Sequence, residues 1–196
     1  MSHRILILFA HPALEKSRVQ YPLVKQARAT EGVTFHDLYQ CYPDFMINIG
    51  HEQALLQQHD IILLQFPLLW YSTPSMLKEW QDLVLEYGFA YGNQGNHLTG
   101  KCFGTVISTG GDQAAYNAQT PTDFTMRQLL YPLEKMASFC NMTYLPPFVI
   151  HGALALTNSQ IEYYTEQYQT LLNQLKQGIP NPTQLHSLNY LNDWIS

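Results

Sequence analysis

Five stretches of the chain carry a strand signal. Residues Ile5–Phe9 (ILILF), 60–66 (DIILLQF) and Cys102–Ser108 (CFGTVIS) are apolar runs with little alternation. Short runs of this kind, with β-branched residues, belong to strands covered on both faces, the setting of a parallel sheet. Residues 33–38 (VTFHDL) alternate, as a half-covered strand does. Residues 143–152 (TYLPPFVIHG) read as the last strand, and Pro146 and Pro147, which cannot donate ladder bonds, place it at an edge.

Helical periodicity fills the gaps. Ser17 with Gln20 forms a capping-box pattern ahead of residues 19–29. Residues 51–58 make a short helix. Thr73 is expected to cap the next one, with Pro74 at its first position and Leu77, Trp80 and Val84 on one face. Residues 124–140 are helical with Pro132 inside, which predicts a kink or a break. The last long helix spans 158–178, with Ser159 and Glu162 as its capping box. Ile161, Tyr164, Tyr168, Leu171 and Leu175 form its apolar stripe, and Gly178 is its stop. Strand–helix alternation with right-handed crossovers gives an α/β fold: a doubly wound, five-stranded parallel sheet of flavodoxin-like order 2-1-3-4-5, helices on both faces. It forms one domain over residues 1–178. The tail, 179–196, turns apolar again at Leu188, Leu191, Trp194 and Ile195 and is expected to pack on the body or on a dimer partner.

Composition narrows the function. Aromatic residues reach 13% while charged residues are only 13%, which suggests buried surface beyond a monomer core: a subunit interface or a planar ligand. A Tyr-rich exposed surface is the alternative. The net charge of −5, without a Lys/Arg run, excludes the footprint of a nucleic-acid binder. Any bound anion must then be held by local backbone donors. Cys41, Cys102 and Cys140 form no CxxC pair and read as reduced, buried thiols of a cytoplasmic protein. The start (MSHRILILFAHP) is not a signal peptide, and no apolar run reaches the ~20 residues of a membrane span.

In such a sheet, ligands bind beyond the carboxyl ends of the strands. The first strand runs into Ala10-His11-Pro12 and a helix start at Ser17-Arg18-Val19. A helix N-terminus offers free N–H groups, to which Ser17, Arg18 and His11 can add donors, so the loop can wrap a phosphate without glycine. An ordinary cap with a solvated Arg18 is the other reading. The third strand runs into Phe66-Pro67-Leu68-Leu69-Trp70-Tyr71, which suits a flat heteroaromatic ring; core packing around Trp70 would produce the same segment. The fourth ends in Ser108-Thr109-Gly110-Gly111, whose glycines let a ligand approach the backbone or simply make a turn, followed by Tyr116 on a long loop. His36 and His151, in strands, read as structural. His51, His59, His97 and His186 lack metal-ligand spacing, so no metal site is expected.

These stretches, with GFAYG and LLYPLEKMASFCNMTYLPPFVIHGA, resemble the flavodoxin-like NAD(P)H:quinone oxidoreductases of the DT-diaphorase type. The PLE and YLPPF…HG segments are similar in particular to the ancillary quinone-reductase subunits of glutathione-gated potassium-efflux (Kef) systems. The resemblance implies a bound flavin, FMN rather than FAD, with NAD(P)H as co-substrate and a quinone as acceptor in a two-electron ping-pong exchange. It implies that His11, Ser17, Arg18 and Val19 hold the phosphate and that Pro67, Leu68, Leu69, Trp70 and Tyr71 line the isoalloxazine. Ser108, Thr109, Gly110 and Gly111 would meet its polar edge, with Tyr116 as the catalytic hydroxyl. It further implies a homodimer and, for the Kef branch, the cytosolic domain of a membrane potassium-efflux protein as partner, on the cytoplasmic face of the inner membrane. Six residues after Tyr116, where DT-diaphorase relatives place a histidine, this chain has Thr122.

A flavin-bearing regulatory subunit, with catalysis secondary, is the competing reading. A one-electron flavodoxin fits poorly, because its Ser/Thr/Gly-rich phosphate loop does not match HPALEKSR. A receiver domain would need acidic residues where Ala10-His11 stand, and an α/β hydrolase would need a G-x-S-x-G elbow.

Overall fold

The computed structural model describes residues 2–118, 120 and 123–195. Strands β1 (Ile5–Phe9), β2 (Val33–Asp37), β3 (Ile61–Pro67) and β4 (Cys102–Ser108) pair in parallel, with Ile5 opposite both Val33 and Ile61 and with Ile61 opposite Cys102. The expected last strand is two short ones on β4, β5 (Thr143–Tyr144) and β6 (Phe148–Ile150), giving the order β2-β1-β3-β4-β5 with β6 also on β4. Phe103 faces Tyr144 but Val106 faces Phe148, so the β5–β6 side carries one extra residue. Leu145-Pro146-Pro147 supplies that bulge.

Period-2 alternation sends Ile5, Ile7 and Phe9 to one face of the sheet, and Leu6, Leu8 and Ala10 to the other. The first face packs on α1 (Gln20–Ala29) and α7 (Asn158–Gln177) through Leu23, Ala27, Tyr168 and Leu171. The second is covered by α2 (Leu38–Cys41), α3 (Ile49–Gln58), α4 (Ser75–Val84), α5 (Met126–Leu129) and α6 (Tyr131–Phe139). The predicted break falls at Leu130, between α5 and α6, with Pro132 in the first turn of α6.

Helix starts differ from expectation where two capping residues compete. α7 is capped by Thr157 with Gln160 closing the box, not by Ser159 with Glu162. α4 starts at Ser75 with Pro74 outside the helix. At α1 only half of the expected box forms: Ser17 Oγ accepts the Gln20 N–H at 3.0 Å, while the Gln20 side chain turns into the core. Cys102 and Cys140 are buried thiols, but Cys41 is exposed. Part of the aromatic excess also lies on the surface, at Tyr21, Tyr71, Tyr87, Tyr131 and Tyr163. Among the described residues no helix is long and apolar enough to cross a membrane.

The tail continues through α8 (Pro182–Ser187) to Leu191, which is fully buried and donates its N–H to the Pro147 carbonyl at 2.9 Å. The Asn192 amide accepts from Val149 N–H at 2.9 Å and donates to its carbonyl at 3.1 Å, capping the exposed edge of β6 as a neighbouring strand would.

Burial holds three histidines, His11, His59 and His151, below the ordinary value of 6.5. At His59 burial prevails over the bond that Nδ1 donates to the Leu55 carbonyl at 2.7 Å, which favours the protonated ring, while Nε2 meets Thr34 Oγ1 at 2.7 Å. The unfolded chain takes up these protons near pH 6.5 and the folded chain only at lower pH. The stability they contribute above 6.5 is therefore lost as pH falls through the folded values. The urea midpoint is expected to drop between pH 7 and pH 5, and a rising midpoint over that range would contradict it.

Candidate functional site

The loops after β1, β3 and β4 and the loop after β6 enclose a groove of about 430 Å³ at the carboxyl ends of the strands. The first loop contributes His11, Pro12, Ala13, Lys16 and Ser17, the second Pro67, Leu68 and Leu69, the third Ser108, Thr109 and Gly110, and the last Ala153 and Leu154. The floor is fixed from below by a buried chain of amides. Tyr168 donates to Gln65 Oε1 at 2.7 Å, Gln65 to Gln20 Oε1 at 2.9 Å, and Gln20 Nε2 to Ser108 Oγ at 2.9 Å. Gln20, Gln65 and Tyr168 have no exposed surface, so each polar atom in the chain needs the next.

Both ends of the groove offer donors. Among the described residues nothing accepts the main-chain N–H groups of Arg18 and Val19 at the start of α1, or those of Gly110 and Gly111 after β4. His11 Nδ1 accepts the Ala13 N–H at 3.1 Å, and burial lowers the His11 pKa against the pull of Glu15. The ring is therefore neutral with its proton on Nε2, a further donor at the α1 end of the groove. Lys16 adds the charge. Between the two ends the wall is Pro67, Leu68 and Leu69, apolar and without side-chain donors.

Trp70 and Tyr71 are not core. Leu69 and Ser72 exchange two hydrogen bonds of 3.0 Å, and the two residues between them sit at φ of 48° and 63°. This is a type I′ turn, normally built from Asn-Gly, here formed by two bulky side chains. The turn throws Trp70 out to 93% exposure and Tyr71 to 65%. Holding large residues in this region costs about 1–3 kcal/mol each, a strain concentrated at the mouth of the groove.

Tyr71 and Tyr116, with Ala115, Asp123, Phe124 and Leu129, line a second pocket of about 360 Å³. The Tyr116 hydroxyl lies over Gly111, where an added Cβ would be 3.3 Å away, and makes no hydrogen bond among the described residues. Of the expected site residues, Trp70, Tyr71, Gly111 and Tyr116 lie beside the groove rather than in its lining, and the side chains of Arg18 and Val19 turn away from it. Arg18 donates to Asn158 Oδ1 at 3.0 Å and lines a separate cleft with Ile161 and Glu162, and the Val19 side chain is buried in the core. Thr122 lies outside the described residues.

Sequence reasoning missed Lys16, Ala153, Leu154 and the buried Gln20. Ala153 and Leu154 follow directly on the last strand as read, at its carboxyl end, whereas the burial of the Gln20 side chain, expected in a capping box, left no signal in the sequence. His36, read as structural, bonds Glu52 Oε1 at 2.7 Å. Spacing gave no metal signal, yet folding brings His36, His51 and Glu52 within 4.8 Å of one another. Both Glu52 oxygens are already taken, by His36, Tyr42 and Trp80. His151, also read as structural, has a buried Nε2 with no partner among the described residues.

A family model described as "Flavodoxin-like fold" matches residues 3–172. A glutathione-regulated potassium-efflux system ancillary protein KefG of Erwinia tasmaniensis is 42% identical over 165 residues, 84% of this chain and 90% of its own. General stress protein 14 of Treponema denticola, solved in complex with FMN, superposes with a TM-score of 0.83 at 35% identity, covering 88% of this chain and 99% of its own. An NADPH-quinone reductase from P. pentosaceus gives 0.78 at 36% identity, with coverage of 90% and 99%.

Proposed function

Because the chain belongs to the flavodoxin-like fold family, and its strand-end groove joins free amides at both ends to an apolar wall, we propose that it is an FMN-dependent NAD(P)H:quinone oxidoreductase. Residues 1–178 would form the flavin-binding unit and 179–196 a tail packed on it. The groove carries the argument. Its N-terminal end, with the amides of Arg18 and Val19, Ser17, neutral His11 and Lys16, fits one phosphate and favours FMN over FAD. The flat wall of Pro67 to Leu69, extended by Trp70 and Tyr71, fits a tricyclic ring, and Ser108 to Gly111 offer amides to its polar edge. Bound there, FMN would accept a hydride from NAD(P)H and pass two electrons to a quinone occupying the same place in turn, a ping-pong exchange.

The chain's own contribution is placement and charge. Amides after β4 and the Tyr116 hydroxyl, unpaired among the described residues, give fixed donors for negative charge developing on the ring. Water is displaced by the apolar wall. Exposed Trp70, Tyr71, Phe124 and Leu154 beside the site support a homodimer that covers it. The relatives named KefG and NADPH-quinone reductase support the same reading from outside the chain.

Purified protein is expected to carry FMN in about equal amount and to lose its yellow absorbance on addition of NADH or NADPH. Tyr116→Phe is expected to retain FMN but slow that bleaching about 100-fold, roughly 3 kcal/mol of lost stabilisation. A wild-type rate in the variant removes Tyr116 from the mechanism.

The 42% identity to an ancillary potassium-efflux protein favours a second reading. Here the chain is a cytoplasmic, flavin-bearing subunit that docks on the cytosolic domain of a membrane efflux protein, reaching the membrane only through that partner. A flavin-free variant that still activates efflux would assign the docking role priority over turnover.

A further inference from the structure

Cys41 is the last residue of α2 and is exposed to solvent. It lines neither the groove nor the second pocket. Its Sγ lies 3.8 Å from His36 Nδ1, and His36 Nε2 lies 2.7 Å from Glu52 Oε1. A thiol, an imidazole and a buried carboxylate, from α2, β2 and α3, thus stand in the order of nucleophile, base and orienting group.

The proton positions follow from Glu52. Burial pushes its carboxyl up, but hydrogen bonds from His36, Tyr42 and Trp80 outweigh it, so at neutral pH it is a carboxylate that only accepts. His36 therefore donates from Nε2, and in the neutral ring Nδ1 is a bare acceptor facing the thiol. A tie between β2 and α3 explains the bond at Nε2; it does not explain an acceptor nitrogen set against an exposed thiol. The charged and titratable groups about Cys41 are Asp37 at the end of β2, Arg28 near the end of α1, neighbouring Tyr42, and Glu52. His51 stands next to the imidazole, its ring 5.8 Å away. Burial, Glu52 and Asp37 raise the thiol above its ordinary 9.0, and Arg28 lowers it. Cys41 is thus no standing thiolate. Its reactive form at neutral pH is made by passing the proton to Nδ1, and the imidazolium so formed keeps its Nε2–H on the Glu52 carboxylate. Cys102 and Cys140 are buried, and burial raises both thiols, Cys102 to about 11, so neither competes.

We propose that Cys41 is a thiol–disulfide exchange site, with His36 as its base and Glu52 as the positioning residue, and that it takes a small disulfide arriving from solvent. Exposure of the thiol lets such a reagent reach it without opening of the fold. The Sγ proton moves to His36 Nδ1. Sγ then bonds to one sulfur of the disulfide, the S–S bond breaks, and its electron pair leaves on the other sulfur, which takes the proton from Nδ1. Cys41 is oxidised and the small disulfide is the oxidant; one thiol and one disulfide stand on each side. The site is independent of the flavin reading.

The test uses the full folded chain with excess hydroxyethyl disulfide, a small neutral disulfide, and follows adducts by intact mass and peptide mapping. Wild type is expected to gain a single adduct, on Cys41, that dithiothreitol removes, and Cys41→Ser to gain none. An unassisted thiol held above 9.0 loses thiolate, and with it rate, about tenfold between pH 8 and pH 7. With the proton shared inside the thiol–imidazole pair, the wild-type rate is expected to change by less than about twofold over that interval. His36→Gln keeps a donor for Glu52 but has no base. It is expected to react about tenfold more slowly at pH 7 and to show the unassisted pH dependence. Glu52→Gln, which keeps an acceptor but not the charge, is expected to shift in the same direction. Adducts on Cys102 and Cys140 would report an opened fold in a variant, and the wild-type slope then decides alone. A tenfold fall in the wild-type rate between pH 8 and pH 7 overturns the proposal. So does a folded His36→Gln with the rate and slope of wild type, or a wild-type chain that is not modified at Cys41. FMN content and bleaching by NADH or NADPH, read on the same samples, are expected to be unchanged in Cys41→Ser and keep the two readings apart.

Discussion

Glu52→Ala is expected to lower folding stability by about 3–5 kcal/mol, the cost of leaving buried partners of a lost carboxylate unpaired. Glu52 lies in the first turn of α3 and has no exposed surface. Its Oε1 accepts from His36 Nε2 at 2.7 Å and from the Tyr42 hydroxyl at 2.6 Å, and its Oε2 from Trp80 Nε1 at 2.8 Å. These donors come from β2, from the end of α2 and from α4, so one carboxylate ties three elements to the same face of the sheet. Truncation orphans three donors at once and adds a cavity against Trp80, one of the largest fully buried side chains. Glu52→Gln keeps one acceptor oxygen and should lose less. The pH limb separates charge from packing. Burial pushes the Glu52 carboxyl up, but hydrogen bonds from His36, Tyr42 and Trp80 and the charge of His36 outweigh it, so the pKa lies below 4.5. Stability from this group is then fully present above pH 4.5 and lost as pH falls through the lower folded value. Urea melts at pH 7 and pH 4 should converge for the variant more than for wild type. A loss under 1 kcal/mol at pH 7 would mean that solvent reaches these donors.

Glu52 also shows where sequence reading stops. The sheet was legible because a strand buried on both faces must be apolar throughout, as Ile5–Phe9 and Cys102–Ser108 are. The three loops at the strand ends were legible because the topology sets them side by side. Glu52, Gln20 and Gln65 were not, because a single buried polar residue carries no periodic signal and is recognised only by the partner that folding brings to it. The prolines of the last strand announced an edge, but the one-residue bulge they create is a matter of register. Cap positions slipped where Thr157 and Ser159 offer chemically equal oxygens and the backbone chose between them. Trp70 reads from the segment alone as core before it reads as a ring platform, and only the paired positive φ values, which turn it outward, decide against the core.

Gly110→Leu is expected to weaken FMN binding by ~1000-fold, about 4 kcal/mol, while leaving the fold in place. Gly110 lines the groove and does not adopt the left-handed backbone that glycine alone tolerates, so a side chain there strains nothing. An added Cβ meets only Leu154 Cδ1, at 3.7 Å, an ordinary contact. Gly110→Ala should therefore bind nearly as wild type does, whereas the branched carbons of leucine must project into the groove across from Pro67 to Leu69. Gly111→Ala makes the complementary case. Its Cβ would sit 3.3 Å from the Tyr116 hydroxyl and ring and from Ala115 Cβ, so Tyr116 must shift by a few tenths of an ångström. That variant should hold FMN and lose bleaching rate, separating the residue that shapes the groove from the one that seats the hydroxyl. Fluorescence titration of flavin-free protein with FMN, beside urea melts of each variant, measures both effects. Leucine at 110 binding FMN as tightly as glycine would place the ring outside this groove and remove the premise on which the roles of Ser17, Leu68 and Thr109 rest.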